Sequence, residues 1–245
     1  MPNRVSGQKK KPVVTNRSAV VIGSAQGIGR AIAMRLCAEG HSVTGVDILE
    51  QDRGEFADIV QADISEPEEC LRVLSLLPDV DILVNNAAIL IHKPTAEFSV
   101  KEFDQTIAVN LRAPFIFCQA LAPKMAERHW GRIVNLSSVG AHTGGISHST
   151  VFNSTKAALI SITKNFARNF AYGGVTCNAV APGYVATAMN SHVDEQQLDT
   201  YLKQIPVGRV AQPEEIASTV AFLITDRAAY VTGTTIDVNG GWVMP

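Results

Sequence analysis

A chain of 245 residues that is 46% hydrophobic and 18% charged holds enough apolar material for one sizeable globular core, and one domain is the simplest count. Its formal net charge of −2 and pI near 6.3 give no reason to expect binding to nucleic acid or an anionic membrane. No apolar run approaches the roughly 20 residues that cross a bilayer, and the four cysteines and six histidines form neither CxxC nor HExxH, so no metal motif is present and the thiols read as reduced, in a cytoplasmic protein.

Residues 1–17 are polar and basic (Arg4, Lys9, Lys10, Lys11, Arg17) and lack the apolar centre of a signal peptide, which predicts a disordered tail ahead of a domain at 18–245. Residues 19–22 are then an apolar run without helical spacing, glycines follow at Gly23, Gly27 and Gly29, and Ile28, Ile32 and Leu36 return at helical spacing. That is strand, tight turn, helix. Glycine permits positive φ and close backbone approach, and the N–H groups opening a helix favour phosphate. Gly23, Ser24, Gln26, Gly27, Ile28 and Gly29 are therefore the candidate cradle for a dinucleotide, although a glycine turn that only packs helix on strand has the same spacing. Residues 41–47 form a second strand ending in Asp47, placed to hydrogen-bond an adenosine ribose or, alternatively, to serve as an ordinary turn residue. Asp47 would repel a 2′-phosphate and no Lys or Arg lies beside it, so the expected cofactor is NAD rather than NADP.

Further on, residues 48–54 are too short and polar for a helix, 58–62 read as a third strand, and Ser65 and Pro67 begin a helix with Ser65 as its N-cap. A fourth strand at 80–84 leads into Asn85, Asn86, Ala87 and Ala88. Two helices at 101–112 and 114–128 are separated by Pro114. Residues 131–136 are strand five, 151–170 a long helix with Ser154, Ala157, Ala158 and Ser161 on one side, 175–180 strand six, 213–225 a helix and 234–238 the last strand. Such alternation predicts a doubly wound, Rossmann-type α/β domain with a parallel sheet covered on both faces.

These residues together give a resemblance to the short-chain dehydrogenase/reductase family over residues 19–241, and within it to the β-ketoacyl carrier-protein reductase-like members. The matching motifs are Gly23-x-x-x-Gly27-x-Gly29, Asp63, Asn85-Asn86-Ala87, Asn110, Ser138, Lys156, Pro182-Gly183 with Val185 and Thr187, and Val238-Asn239-Gly240-Gly241. The resemblance implies a seven-stranded sheet and a homotetramer. It also implies that Asp63 and Ile64 touch adenine, that Asn85 and Ala87 line the cofactor channel, and that Pro182, Gly183, Val185 and Thr187 flank the nicotinamide.

The chemistry implied is hydride transfer between nicotinamide C4 and a carbinol or carbonyl carbon, coupled to proton transfer at the oxygen. Ser138 is expected to polarise that oxygen, Lys156 to bond the nicotinamide ribose and supply charge, and Asn110 to hold a water in a proton relay. Ser138 and Lys156 also admit plainer readings, as a turn serine and a surface lysine. Neighbouring Ser137 should face away, because side chains alternate along extended chain. The family's proton donor is a tyrosine four residues before Lys156, and here that position is Phe152. Phenylalanine keeps the ring and removes the only group that could carry the proton, so a strongly impaired reductase is expected. A deliberate Tyr→Phe variant fits the retained Asn110, Ser138 and Lys156. A natural, non-catalytic or non-redox NAD-binding protein is the alternative.

The substrate walls are expected from residues 89–92, from a loop at 140–151 containing His142 and His148, and from a mobile lid at 188–205. No arginine lies in these walls, Arg209 falling beyond the lid, so the expected substrate is a small or medium, mostly neutral alcohol or ketone. Phe115, Phe117, Phe166 and Phe170 read as core or as a helix–helix interface between copies.

Overall fold

The computed structural model describes residues 16–145, 149–190 and 193–245. The first fifteen residues of the basic tail, His148 and two residues of the expected lid lie outside them. Seven strands alternate with helices in chain order: β1 (Ser18–Ile22), α1 (Gly27–Ala38), β2 (Ser42–Asp47), β3 (Asp58–Gln61), α2 (Pro67–Leu76), β4 (Ile82–Asn85), α3 (Val100–Ile107), α4 (Ala113–Glu127), β5 (Gly131–Leu136), α5 (Gly140–Thr143), α6 (Thr150–Phe170), β6 (Val175–Pro182), α7 (Glu195–Gln204), α8 (Pro213–Leu223) and β7 (Thr235–Val238). All pairings are parallel, in the order β3-β2-β1-β4-β5-β6-β7.

Alternation along each strand divides the core into two layers. Val20, Ile22, Leu83 and Ile133 face α4 and α6, meeting Phe117, Leu121 and Phe166. Ala19, Val21, Ile82, Val84 and Val134 face the other way, onto Ile32 and Leu36 of α1 and Ile216, Val220 and Leu223 of α8. Because β1 lies between β2 and β4, the chain leaves β1 toward one edge and later returns beside it toward the other. The crossovers part there, opening a crevice at the strands' carboxyl ends.

Three local expectations change. The two helices expected on either side of Pro114 are continuous through a π-helical turn at Ala108–Arg112, in which the Ala113 N–H reaches the Ala108 carbonyl. Proline is accommodated where the hydrogen-bond ladder shifts, since its missing N–H would otherwise break an α-helical turn. Helix α2 starts with Glu66 in the cap position and Pro67 in the first turn, so Ser65 is not its cap; the Ser65 N–H instead donates to Asp63 Oδ1 at 2.9 Å. Within the expected lid lies α7, opened by a reciprocal cap between Asp194 and Gln197.

The four phenylalanines divide: Phe117 is fully buried, while Phe115 is exposed beside Phe166, which stacks on Phe170. All four cysteines are free thiols, and burial pushes Cys118 up to about 12 and Cys70 to about 11, which keeps both protonated. Among the described residues no helix is long and apolar enough to cross a membrane, and no group of His, Cys, Asp or Glu could hold a metal ion.

Candidate active site

Three adjoining hollows form one cleft along the carboxyl ends of the strands. The first, about 430 Å³, runs past Gly23, Gln26, Gly27, Asp47, Asp63, Ile64 and Ala87. The second, about 140 Å³, is bounded by Ile28, Ser138, Phe152, Lys156, Gly183, Val185 and Thr187. The third, also about 140 Å³, shares Ser138, Phe152 and Gly183 with the second and continues to Tyr184, Tyr201 and Trp242.

The first hollow is shaped by backbone. Gly23 and Gly27 have φ of +84° and +54°, in the left-handed region that favours glycine. A Cβ on Gly23 would come within 2.6 Å of the Ala87 backbone, and one on Gly29 would land on the Gly23 carbonyl oxygen. Gln26, at the N-cap of α1, makes no side-chain cap bond. The first-turn N–H groups are therefore left to an outside acceptor, and a donor set of this kind beside a long hollow fits a dinucleotide pyrophosphate. Ser24 is buried and donates its hydroxyl hydrogen to Gln51 Oε1 at 2.9 Å. Asp47 Oδ2 accepts the Ala25 N–H at 2.9 Å and Oδ1 accepts the Leu49 N–H at 3.0 Å.

Asn85 is not brought to the cleft. Its Nδ2 donates to Asn135 Oδ1 at 2.8 Å inside the sheet, because consecutive side chains at the end of β4 point opposite ways. Asn86 takes the cleft position and holds the glycine turn, its Nδ2 donating to the Gly23 carbonyl at 2.8 Å.

The second hollow is shaped by side chains. Ser137 is buried and donates to the Lys156 carbonyl at 2.9 Å, leaving Ser138 in the cleft, where its Oγ accepts the Gly140 N–H at 3.1 Å. Lys156 Nζ donates to the Leu136 carbonyl at 2.6 Å and lies 5.5 Å from the centroid of the Phe152 ring, as expected of side chains one helical turn apart. Burial brings its pKa down to about 8. Asn110 sits on the π-helical turn. Its Oδ1 accepts the Ile89 N–H at 2.9 Å, and its Nδ2 donates to the Ile89 carbonyl at 3.0 Å and to Thr155 Oγ1 at 3.2 Å. Thr155 Oγ1 donates in turn to the Phe152 carbonyl at 2.6 Å, so Asn110 ties the loop after β4 to the helix turn that carries residue 152.

Around the third hollow, Leu90 and His92 lie in the wall, whereas His142 Nε2 is 3.0 Å from Asp237 Oδ1 on β7 and does not line it. Arg209 is paired with Glu215 at 2.7 Å. Tyr201 falls within the expected wall at 188–205, whereas Tyr184, Asn153 and Trp242 were not expected there. Two of them carried a local signal, since Tyr184 follows Gly183 and Trp242 follows Gly241 directly. Asn153 donates from Nδ2 to the Gly144 carbonyl at 3.0 Å and to Ser149 Oγ at 2.8 Å, pinning the loop after β5 to α6.

Comparison with known proteins gives matches along nearly the whole chain. A family model described as enoyl-(acyl carrier protein) reductase matches residues 23–243. The chain is 38% identical over 242 residues to a 3-oxoacyl-[acyl-carrier-protein] reductase of Aquifex aeolicus, covering 91% of this chain and 96% of that protein. Among solved structures, one assigned as an NAD(P)-dependent gluconate 5-dehydrogenase from Beutenbergia cavernae superposes with a TM-score of 0.88 at 32% identity, covering 92% of this chain and 96% of that one. Another, assigned as a 2-deoxy-D-gluconate 3-dehydrogenase from Agrobacterium tumefaciens, also gives 0.88, at 31% identity and 95% and 99% coverage. Both of those structures hold NADP, the first at low occupancy, which overturns the expectation of NAD. The repulsion argument treated Asp47 as a free anion at the ribose. Each of its oxygens instead accepts a backbone N–H, which offsets the charge.

Proposed function

The chain belongs to the short-chain dehydrogenase/reductase family, and we propose that it is an NADP(H)-binding member, acting at a carbinol or ketone carbon, whose turnover is held low by Phe152. One observation carries the reading: Ser138, Lys156 and residue 152 share one hollow between the glycine cradle and the substrate walls, and the ring at 152 brings no ionisable group to it. When bound, the nicotinamide takes or gives a hydride at C4. The chain supplies orientation and charge. Ser138 Oγ uses a lone pair on the Gly140 N–H and keeps its own hydrogen to donate to the substrate oxygen. Lys156, with a pKa of about 8, is still largely charged at neutral pH and is the group to bond the cofactor ribose. Asp63 and Ile64 border the adenine end, and Val185 and Thr187 the carboxamide.

The phenol is the missing part. A positioned general acid or base contributes roughly 10²- to 10⁴-fold, about 3 to 5 kcal/mol of barrier. Phe152→Tyr is therefore expected to raise kcat/KM for NADPH-linked carbonyl reduction by about that factor. Unchanged turnover in a Phe152→Tyr protein that binds NADPH would overturn the reading. Retention of Asn110, Ser138 and Lys156 supports a reductase site that has lost its phenol. A non-redox NADP(H)-binding protein is the second reading, favoured by Phe152 itself, and it predicts tight NADPH binding without turnover in either form. We also assign a homotetramer and a lid over residues 188–205. Exposed Phe115 and the exposed small face of α6 (Ser154, Ala157, Ser161) support the first, and the absence of any buried residue in α7 supports the second.

A further inference from the structure

The third hollow has about 140 Å³ of room, close to the ~150 Å³ that accepts one benzene molecule in an engineered protein cavity. One wall is a run of three aromatic rings from separate segments: Tyr184 and Tyr201 have centroids 5.7 Å apart, and Tyr201 and Trp242 likewise 5.7 Å. Two of the three rings have their polar handle engaged within the chain. Trp242 Nε1 donates to Gln204 Oε1 at 3.2 Å, and the Tyr184 hydroxyl donates to the Asn190 carbonyl at 3.4 Å. The Asn190 amide donates to the Val185 carbonyl at 2.8 Å, and the Asn153 amide is held by the loop after β5. Among the described residues no Asp, Glu, Lys or Arg lines the hollow. What the aromatic wall offers a ligand is mainly ring faces, with the Tyr201 hydroxyl at its middle. A polyol would lay most of its hydroxyls against those faces, and an anion would find no countercharge among the described lining residues.

We propose that this hollow is a subsite for one uncharged six-membered ring, so that the substrate class is an aryl-bearing secondary alcohol or the corresponding aryl ketone, its oxygen toward Ser138 and its ring against Tyr201 and Trp242. The assignment rests on the reading of Ser138 as the group that meets the reacting oxygen. Aromatic rings gain from offset or edge-to-face contact beyond simple area burial, which a flexible acyl chain does not supply. In the oxidative direction the carbinol C–H pair leaves as hydride to NADP⁺ and the O–H proton goes to solvent, giving ketone and NADPH; reduction reverses both.

The test is calorimetric titration of the full chain, with and without saturating NADPH, using 1-phenylethanol, a hexitol and the 3-hydroxybutanoyl thioester of N-acetylcysteamine. NADPH with an alcohol cannot turn over, so binding is read without catalysis. The aryl alcohol is expected to bind at least tenfold more tightly than either other probe. Trp242→Ala and Tyr201→Ala are each expected to weaken it at least fivefold while leaving NADPH affinity unchanged, and Tyr184→Phe to leave it within twofold. If the wall variants do not fold, quenching of Trp242 fluorescence by 1-phenylethanol in the unaltered chain takes their place, Trp130 lying at the opposite end of β5. Equal or tighter binding of the hexitol or thioester, or an aryl affinity indifferent to both wall variants, or no quenching, overturns the proposal. A chain that takes the ring but not NADPH contradicts the cofactor reading alone.

Discussion

Around β1 and α1 the cleft is made of backbone: three glycines, uncapped N–H groups and an aspartate tied to two peptide nitrogens. Around residue 152 it is made of side chains drawn from α6, from the loops after β4, β5 and β6, from α7 and from the C-terminal segment. The first half tolerates almost no added atom. In the second, a change between tyrosine and phenylalanine at position 152 would add or remove a hydroxyl without moving the helix that carries it, because the two share a ring. A backbone site is lost by steric intrusion, a side-chain site by chemical deletion.

The widest separation between the two halves is the gain of about 3 to 5 kcal/mol in transition-state stabilisation expected from Phe152→Tyr, which repairs chemistry and leaves the cradle untouched. Next in size is Gly29→Ala. Its new methyl group would collide with the Gly23 carbonyl, so a loss of about 3 kcal/mol in urea unfolding and at least a tenfold loss in NADPH affinity are expected. Wild-type behaviour in both measurements would refute the steric account.

Lys156 joins the halves and should titrate. Its folded pKa of about 8 lies below its ordinary 10.5, so between those values the unfolded chain holds a proton that the folded chain has released. Stability should therefore rise with pH across that window relative to Lys156→Met, by on the order of 2 to 3 kcal/mol. Parallel pH profiles for the two proteins would show that the ammonium is not desolvated. NADPH affinity should fall over the same range as the charge is lost. The smallest effect is expected from Asn153→Ala, which removes two hydrogen bonds to the loop after β5: a loss of about 1 to 2 kcal/mol with NADPH affinity unchanged. An equal loss of cofactor affinity would show that the halves are coupled through α6.

Much of the fold was legible because it is local. Each of the seven strands is a short apolar or alternating run, and the helices that cover them carry their apolar residues at helical spacing. Pro114 misled because a proline in a helical pattern reads as a stop, whereas a π-helical turn let the ladder pass it. Helix α7 carried a readable cap in Asp194 and Gln197, but its polar composition resembles that of a loop. At the site, Ser137 gives its hydroxyl hydrogen to the Lys156 carbonyl although it borders the second hollow beside Ser138, and the Asn85–Asn86 pair required the pairing of Asn85 with Asn135 on the neighbouring strand.

The glycine spacing, the strand-and-helix order and the Phe152–Lys156 interval are facts about neighbours in the chain, and local backbone sterics and helical periodicity carry them into three dimensions unaided. Which aromatic rings meet at the third hollow, and where the Asp47 carboxylate spends its charge, depended on the order β3-β2-β1-β4-β5-β6-β7 and on the loops it brings to one edge. Contacts between distant segments form only after the crossovers are in place, and no spacing along the chain encodes them.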